Sequence, residues 1–501
     1  MIPRFAFISP ALSCLLGLVS LHAADQPQWG EAWSRNMVSN ETHLPDSFDP
    51  ETGKNILWKA ELGTITHSTP IVAGGHIYIG TNNEVPRNPN HLGDCGVMMC
   101  LDEKTGKLVW QLVVPKRTAD KFDDWPKAGL ASPATVEGDR VYTVTNRGEV
   151  VCLTAKGMAN GNEGPYRDEA AHMTVPGGPK QTVDATDADI VWMFDLVSGA
   201  GIWSHDAAHS SILVHGDYLY LNSGTGVDNT HRAIKAPNAP SLVVLEKKTG
   251  RLIAIDDEHI SPNIFHNTWS SPSLVEVNGR TVICFAGGNG MVYGFEPVTK
   301  APVNGEVLKL KKIWQWDFDP EAPKEDIHKY CTNRQVSPSN IYGMPVIHDG
   351  KLFVAGGGDL WWGKKMSWLK CANPGLTGDI SKDGVLWTYP LSQHTLSTPA
   401  VKDGLVFIAD CAAGLHCVDE KTGKPYWTHE LKGQVWASPM VADGKVYIGT
   451  RKGDVYVFAA SKEEKLLNMI SLRDPISGTA TVANGVIYLA TMTTLYALKQ
   501  Q

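Results

Sequence analysis

The chain has 501 residues, 43% of them hydrophobic and 20% charged, with a formal net charge of −8 at pH 7 and a pI near 6.1. A chain of this length and composition can bury a sizeable core. The net charge is negative, whereas proteins that bind nucleic acid usually carry an excess of basic residues, so nucleic-acid binding is disfavoured.

The first 23 residues are predicted to be a cleaved secretory signal peptide. Arg4 supplies a positive charge, residues 5–21 are almost wholly apolar, and cleavage is expected beside the small residue Ala24. A membrane anchor is disfavoured because Pro10 interrupts a segment already short for a span. Lipidation of Cys14 is disfavoured because the residues before it form a poor lipobox. We therefore expect a periplasmic or secreted protein without another membrane-spanning segment.

Residues 24–52 are expected to form an N-terminal arm, followed by one large repeat domain over residues 53–501. The stretch 55–62 is predicted to be a strand that has no blade of its own.

One repeating unit then recurs to the end of the chain. It opens with Ser/Thr-Pro or a variant, alternates apolar and polar residues, makes a glycine turn and continues as an apolar and aromatic strand. Copies begin at Pro70, Pro133, Ile212, Pro272, Pro345, Pro399, Pro439 and Ala480. Turns such as Asp349-Gly350 favour a type I′ hairpin, which needs positive φ at both central residues. The last two intervals, 40 and 41 residues, match the four short strands of one propeller blade.

Three units close with a further patterned segment. It runs from Cys100 to Trp110, with copies from Met193 to Trp203 and from Cys417 to Trp427. The final copy has only three strands, and the lone strand at 55–62 can supply its fourth. The predicted fold is therefore an all-β, eight-bladed β-propeller of four-stranded blades, whose ring is closed by an N-terminal strand. Seven or nine blades stay open as alternatives, because the third copy begins at Ile212 without a Pro.

The closing segments carry a small residue, Asp, Gly and Trp at positions one, three, seven and eleven. This pattern resembles the tryptophan-docking motif of the quinoprotein alcohol dehydrogenase family, over essentially the whole chain after about residue 53. A similar repeat is found in the lipoprotein of the β-barrel assembly machinery, which binds no quinone. The resemblance implies the fold and leaves two functions open.

The first function is a non-catalytic binding or scaffold module for an envelope protein, a glycan or a small ligand. The second is a quinone-dependent dehydrogenase, which would hold pyrroloquinoline quinone (PQQ) with calcium and oxidise an alcohol or sugar. The resemblance implies two adjacent cysteines over that cofactor, and this chain has none. The family's Glu-Asn-Asp calcium set also has no clear counterpart, so the binding module is favoured.

Candidate ligand-binding residues lie in the insertion from Tyr330 to Cys371. Aromatic faces stack on flat ligands, and nearby charged and amide groups fix carboxylates or hydroxyls. The candidates for a cofactor site are Arg334, Asn340, Asp359, Trp361, Trp362 and Lys364. The alternative is that these tryptophans only pack between blades and over a hairpin.

A second candidate site could bind a metal ion. Its predicted ligands are His205, Asp206, His209 and Asp228, since His and Asp are ordinary ligands for zinc or calcium-type ions. The alternative is structural hydrogen bonding within turns. The chain has no CxxC, CxxCH, HExxH or GxSxG sequence, which excludes covalent c-type haem and the commonest zinc and hydrolase signatures. The pairing of the eight cysteines that follow the predicted signal peptide is left open.

Overall fold

A computed structural model describes residues 24–117, 120, 125–206, 211–303 and 305–501. These residues form eight sheets, each with at least four strands, and almost no helix. The predicted eight-bladed, all-β propeller is therefore confirmed.

The first strand along the chain is β1 (Ile56–Glu61). Blade 1 contains β2 (Ile71–Ala73), β3 (His76–Asn82), β4 (Cys95–Asp102) and β5 (Leu108–Pro115). Blade 2 contains β6 (Thr135–Glu137), β7 (Arg140–Val144), β8 (Glu149–Thr154) and β9 (Ile190–Asp195). Blade 3 contains β10 (Leu213–His215), β11 (Tyr218–Asn222), β12 (Leu242–Glu246) and β13 (Leu252–Ile255). Blade 4 contains β14 (Ser273–Val277), β15 (Arg280–Ala286), β16 (Met291–Phe295) and β18 (Lys312–Asp317). The short strand β17 (Leu308–Lys309) precedes β18 in the chain but pairs with blade 3.

Blade 5 contains β19 (Val346–His348), β20 (Lys351–Gly357), β21 (Ser367–Ala372) and, after β22 (Gly378–Asp379), β23 (Val385–Pro390). Blade 6 contains β24 (Ala400–Lys402), β25 (Leu405–Ala409), β26 (Gly414–Asp419) and β27 (Pro425–Glu430). Blade 7 contains β28 (Met440–Ala442), β29 (Lys445–Gly449), β30 (Asp454–Ala459) and β31 (Leu466–Ser471). Blade 8 contains β32 (Thr481–Ala483), β33 (Val486–Ala490), β34 (Thr494–Leu498) and β1.

Short helices and extra strands decorate this frame. The helices are α1 (Glu169–His172), α2 (Leu196–Ala200) and the 3₁₀ turns Gly157–Asn160, Ser261–Asn263 and Ile327–Tyr330. Strands β17 and β22 add parallel fifth strands to blades 3 and 4.

The predicted ring closure is confirmed by the pairing of β1 with β34. The two strands are antiparallel, with Lys59 opposite Tyr496 and Glu61 opposite Thr494. Blade 8 therefore combines the two ends of the described chain, and β1 covers the strand edge that β34 would otherwise expose.

The blade starts are also confirmed, because each predicted start lies one or two residues before the first strand of a blade. Where the first turn is an Asx-Gly pair, both residues have positive φ: 45° and 68° at Asp349-Gly350, and 53° and 78° at Asp403-Gly404. These are the signs that a type I′ hairpin requires.

Hydroxyl groups connect neighbouring blades around the channel. The backbone N–H of Thr398 donates to Ser438 Oγ at 2.9 Å, that of Ser438 to Thr479 Oγ1 at 3.1 Å, and that of Thr479 to Thr69 Oγ1 at 3.2 Å. These residues stand just before the first strands of blades 6, 7, 8 and 1. The first strands therefore line the channel, while the fourth strands lie outermost.

Residues 24–52 cover one end of the channel. Backbone N–H groups in five first strands donate to this arm, from Val72 to Gln26, Val136 to Pro27, Leu274 to Trp33, Ile347 to Ser34 and Val441 to Met37. The Asn36 side chain completes the pattern in blade 6, where it both donates to and accepts from the backbone of Val401. At the centre, the buried Arg35 guanidinium donates to the backbone oxygens of Pro272 and Ser211.

Candidate functional site

Successive hairpins of an antiparallel blade alternate between the two ends of the ring. The turns between first and second strands lie at the end covered by the arm, where Asp25 accepts from the Gly74 N–H and Asp443 from that of Leu44. The loops between second and third strands, and the connections between blades, therefore lie together at the opposite end. We call this the open end of the channel.

Aromatic side chains surround the open end. His67, Trp269, Tyr342 and Trp436 each stand three residues before a blade start, and Trp361 comes from the loop between β20 and β21. Trp361 has ring centroids 5.6 Å from Trp269, 6.4 Å from Tyr342 and 6.1 Å from Trp436. It is 39% exposed, so part of its ring is available to a ligand. We call these five residues the aromatic mouth.

Three histidines form a compact cluster beside the aromatic mouth. His205 lies between blades 2 and 3, His231 on the loop between β11 and β12, and His266 between blades 3 and 4. Their ring centroids are 4.9 to 5.3 Å apart, and each offers a nitrogen within 4.8 Å of those of the other two. All three side chains are buried. The indole ring of Trp362 covers His231 at 4.3 Å.

A buried hydrogen-bond network orients His266. Its Nδ1 lies 3.0 Å from Asp359 Oδ2 and 3.1 Å from the Tyr342 hydroxyl, which also donates to Asp359. The other oxygen of Asp359 accepts from the backbone N–H groups of Trp361 and Trp362. With Nδ1 engaged in this way, the Nε2 atom of His266 is left to face the cluster. Asp359 thus positions both the imidazole and the loop that carries the tryptophans.

Burial decides the charge state of this region. Burial, reinforced by His266 and His231, lowers the pKa of His205 well below its usual range, and burial with His266 lowers the pKa of His231 to about 4. Burial raises the pKa of Asp206 to about 6. Burial would also raise the pKa of Asp359, but His266 and the donors around it outweigh this and hold that pKa below its usual range. At neutral pH, His205 and His231 are neutral beside two carboxylates.

Asp206 is the carboxylate that directly adjoins the cluster. Its Oδ2 lies 3.6 Å from His205 Nε2 and 4.0 Å from His266 Nε2. The site therefore brings together imidazole nitrogens and a carboxylate oxygen, a combination typical of transition-metal sites.

The structure gathers only part of the predicted cofactor set at the open end. Asp359, Trp361 and Trp362 adjoin the histidine cluster. Buried Asn340 supports them through its amide, which donates to the Tyr342 hydroxyl at 3.1 Å. Arg334 donates to the Leu360 carbonyl, while buried Lys364 forms an ion pair with Asp319. The last two side chains thus brace the loop by contacts within the protein.

The predicted metal set is likewise divided. His205 and Asp206 lie in the cluster, whereas His209 lies outside the described residues. Asp228 shares a loop with His231, and its Oδ1 accepts from the backbone N–H and hydroxyl of Thr230 at 3.0 and 2.6 Å. That oxygen of Asp228 is therefore occupied in stabilising the loop.

The predicted metal ligands include neither His231 nor His266, and most of the aromatic mouth lies outside the predicted cofactor set. A usable signal exists for part of this set, because His67, Trp269, Tyr342 and Trp436 occupy one position of the repeat, three residues before the blade start. An aromatic residue repeated at a fixed distance from the channel strand indicates a ring around the channel.

Within the described residues, no disulfide joins any two of the eight cysteines, and all eight are buried. None of the helices in the described residues has the length and hydrophobicity of a membrane-spanning segment.

Comparisons with known proteins agree with the fold. The family described as outer membrane protein assembly factor BamB matches residues 94–300 and 378–466, more than half of the chain. BamB from Moraxella catarrhalis is similar in structure, with a TM-score of 0.50 and 12% sequence identity, covering 89% of this chain and 97% of that one. The computationally designed Ika8 protein is similar with a TM-score of 0.50 and 10% identity, covering 89% and 99%. Identities this low show the fold alone, and no curated protein matches the sequence. On the family match, the chain belongs to the BamB family of PQQ-like propellers.

Proposed function

We propose that this protein is an exported binding or scaffold module of the periplasm or cell envelope, and that it takes a polypeptide segment of an envelope protein at the aromatic mouth. The observation that carries the proposal is Trp361, a partly exposed tryptophan enclosed by other aromatic rings at the open end. The arm covers the opposite end, so a ligand of the channel would enter from the side of Trp361.

The residue types at the open end support a protein partner. A few residues contribute most of the binding free energy in protein interfaces, and tryptophan, tyrosine and arginine are enriched among them. Besides Trp361, the mouth presents Trp436, whose ring lies 4.5 Å from the Arg451 guanidinium. A glycan would also stack on tryptophan, so the experiment below must distinguish the two.

Export is part of the same proposal and rests on the predicted signal peptide, which lies outside the described residues. Fractionation of cells that express the full chain should recover it in the periplasmic or envelope fraction. A variant that lacks residues 1–23 should stay in the cytoplasm. Equal distribution of the two forms would contradict the export proposal.

The quinone-dependent dehydrogenase is the less supported alternative. Calcium takes oxygen ligands, whereas the groups that converge beside the mouth are mainly imidazole nitrogens. The adjacent cysteines of the resembling enzymes are absent from the sequence. These residues do not fit a calcium–quinone centre, and we assign them no step in such chemistry.

Site-specific photocrosslinking tests the binding proposal in cells. A photoreactive amino acid at Lys365, which is exposed beside the tryptophans, should crosslink to one defined envelope protein. The same group at Leu386, on the outer strand of blade 5 and 51% exposed, is the matched control and should not give this product. Trp361→Ala should abolish the crosslink at Lys365 without changing the amount of folded protein.

Direct binding should then be measured with the purified partner. Loss of a central tryptophan typically costs 2 kcal/mol or more, which corresponds to roughly 30-fold weaker binding for Trp361→Ala. Equal crosslinking at Leu386, or unchanged affinity of the Trp361 variant, would overturn the proposed interface. If the partner binds only through its carbohydrate, the ligand of the aromatic mouth is a glycan and the proposed polypeptide ligand is wrong.

A further inference from the structure

We propose that His205, His231, His266 and Asp206 bind one divalent transition-metal cation of the zinc class. The site goes beyond the proposed binding function, because neither the aromatic mouth nor its partner is needed for the ion to bind. It also differs from the predicted metal set, since His231 and His266 take the places expected for His209 and Asp228.

The geometry of the cluster is close to that of a ligand sphere. Zinc binds imidazole nitrogen at about 2.0–2.1 Å in tetrahedral geometry, which places ligating nitrogens about 3.4 Å apart. The three imidazoles already offer nitrogens within 4.8 Å of one another, and Asp206 Oδ2 lies 3.6 and 4.0 Å from two of them. Small side-chain shifts would bring all four ligand atoms around one ion.

The second observation is the way His266 is held. A metal-binding histidine commonly donates its other ring N–H to a carboxylate, which sets the tautomer and the ring orientation. His266 has this arrangement, since Nδ1 contacts Asp359 at 3.0 Å. Its Nε2 atom is buried, makes no hydrogen bond within the described part of the chain and points to Asp206. A buried polar atom in such a position requires a partner, and an ion would supply it.

Charge favours the same conclusion. Two carboxylates, Asp206 and Asp359, adjoin three buried imidazoles, and a divalent cation would balance the two negative charges. The nitrogen-rich ligand set favours zinc, cobalt or nickel over calcium and magnesium, which prefer oxygen ligands. Asp359 does not reach the ion in this arrangement, and it acts as a positioning residue through His266.

A second group of potential ligands provides an internal control. His348, Asp349 and Glu420 also lie within ligand distance of one another, at the end of the ring covered by the arm. His348 and Asp349 are less buried than the histidine cluster, and no carboxylate orients His348 in the way that Asp359 orients His266 among the described residues. His348→Asn therefore tests whether any bound metal resides there instead.

The experiment is a metal titration of the purified full chain after treatment with a chelator. Zn²⁺ binding is followed by calorimetry, and Co²⁺ binding by its visible absorption, which reports four-coordinate geometry. We expect one ion per chain in the unaltered protein and in His348→Asn. We expect Asp359→Asn to weaken binding by about 10- to 100-fold, and His231→Ala to weaken it further.

His231→Cys separates loss of a ligand from loss of the fold. This variant retains a metal-binding side chain, so it should bind Co²⁺ and add a sulfur-to-cobalt charge-transfer absorption. Circular dichroism in chelator should be the same for all variants. Absence of bound metal in the unaltered protein, full affinity in His231→Ala, or loss of binding in His348→Asn would each overturn the proposed site.

Discussion

The packing of tryptophan against glycine between neighbouring blades leads to a quantitative prediction about Gly423→Ala. Trp387, in the outer strand of blade 5, donates from Nε1 to the Glu420 carbonyl of blade 6 at 3.0 Å. Gly423 lies beneath that ring with φ of +68°, and a Cβ atom there would lie 2.5 Å from Trp387 Cε3. The substitution therefore introduces both backbone strain and a steric overlap.

Gly404→Ala is the matched control in the same blade. Its φ is +78°, but a Cβ atom there would have no neighbour within 4 Å. Positive φ costs an alanine about 1–2 kcal/mol, which both variants should lose. Overpacking adds about 1–3 kcal/mol, which only Gly423→Ala should lose.

Urea and thermal unfolding measure this difference. For a chain of this length, about 1 kcal/mol corresponds to about 1 °C in Tm if unfolding is cooperative, so Gly423→Ala should melt about 1–3 °C below Gly404→Ala. In a Trp387→Leu background the ring overlap is absent, and Gly423→Ala should cost no more than Gly404→Ala. Equal destabilisation of the two glycine variants in the native background would refute this account of blade packing.

Three further predictions concern the arm, the open end and a buried ion pair. Asn36→Ala should lower the free energy of unfolding by about 2–4 kcal/mol, measured with denaturant. The reason is that Asn36 makes two buried hydrogen bonds, 2.7 and 2.8 Å long, to the first strand of blade 6. An unchanged free energy of unfolding would contradict a stabilising role of the arm. Burial, together with Arg334, lowers the pKa of His394 to about 4. The unfolded chain, with a histidine pKa near 6.5, therefore binds more protons between about pH 6.5 and 4, and stability falls as pH falls through that window. At pH 5, His394→Gln should remove about 2 kcal/mol of this loss in the free energy of unfolding. If stability depends on pH in the same way in the variant, His394 is not the group responsible. Lys364→Met should cost about 3–5 kcal/mol because it leaves Asp319 buried without its cation, and adding Asp319→Asn should restore part of that stability; additive losses would exclude the coupling.

Much of the fold could be predicted because each blade is specified by local signals. A Pro-initiated strand, an Asx-Gly turn and an aromatic strand recur within about 20 residues, so the eight starts needed no long-range information. Closure by β1 was also predictable, since one strand near residue 60 lacked a blade and the last blade lacked a strand.

The closing motif could not be located from residue spacing in blades that carry long insertions. The segment from Met193 to Trp203 has the spacing of a closing motif, but it forms the end of β9 and helix α2. The docking residue of blade 2 is Trp192, which donates to the Lys247 carbonyl at 3.1 Å. Gly157 holds the motif position that Gly106 holds in blade 1, and it packs against Trp110. It precedes Trp192 by more than thirty residues because an insertion separates β8 from β9. Spacing patterns therefore identify docking tryptophans only in blades without insertions.

The candidate site could be predicted only where its residues lie close together in sequence. Trp361, Trp362 and Asp359 stand close together in sequence, so a local cluster of aromatic and acidic residues indicated them directly. His231 lies in an insertion between β11 and β12, and no local pattern relates it to His205. Only the ring, which brings that loop to the same end as the inter-blade connections, makes them neighbours.

His266 is the instructive intermediate case, because the repeat register connects it to a residue that was predicted. Asp206 stands six residues before the start of blade 3 at Ile212, and His266 stands six residues before the start of blade 4 at Pro272. Equivalent positions of adjacent blades must be neighbours around a closed ring, and the two side chains approach to 4.0 Å. Aligning the repeats by their starts would thus have paired Asp206 with His266 before any coordinates were known. In a propeller, ligand sets should therefore be sought among equivalent positions of adjacent repeats as well as within short stretches of sequence.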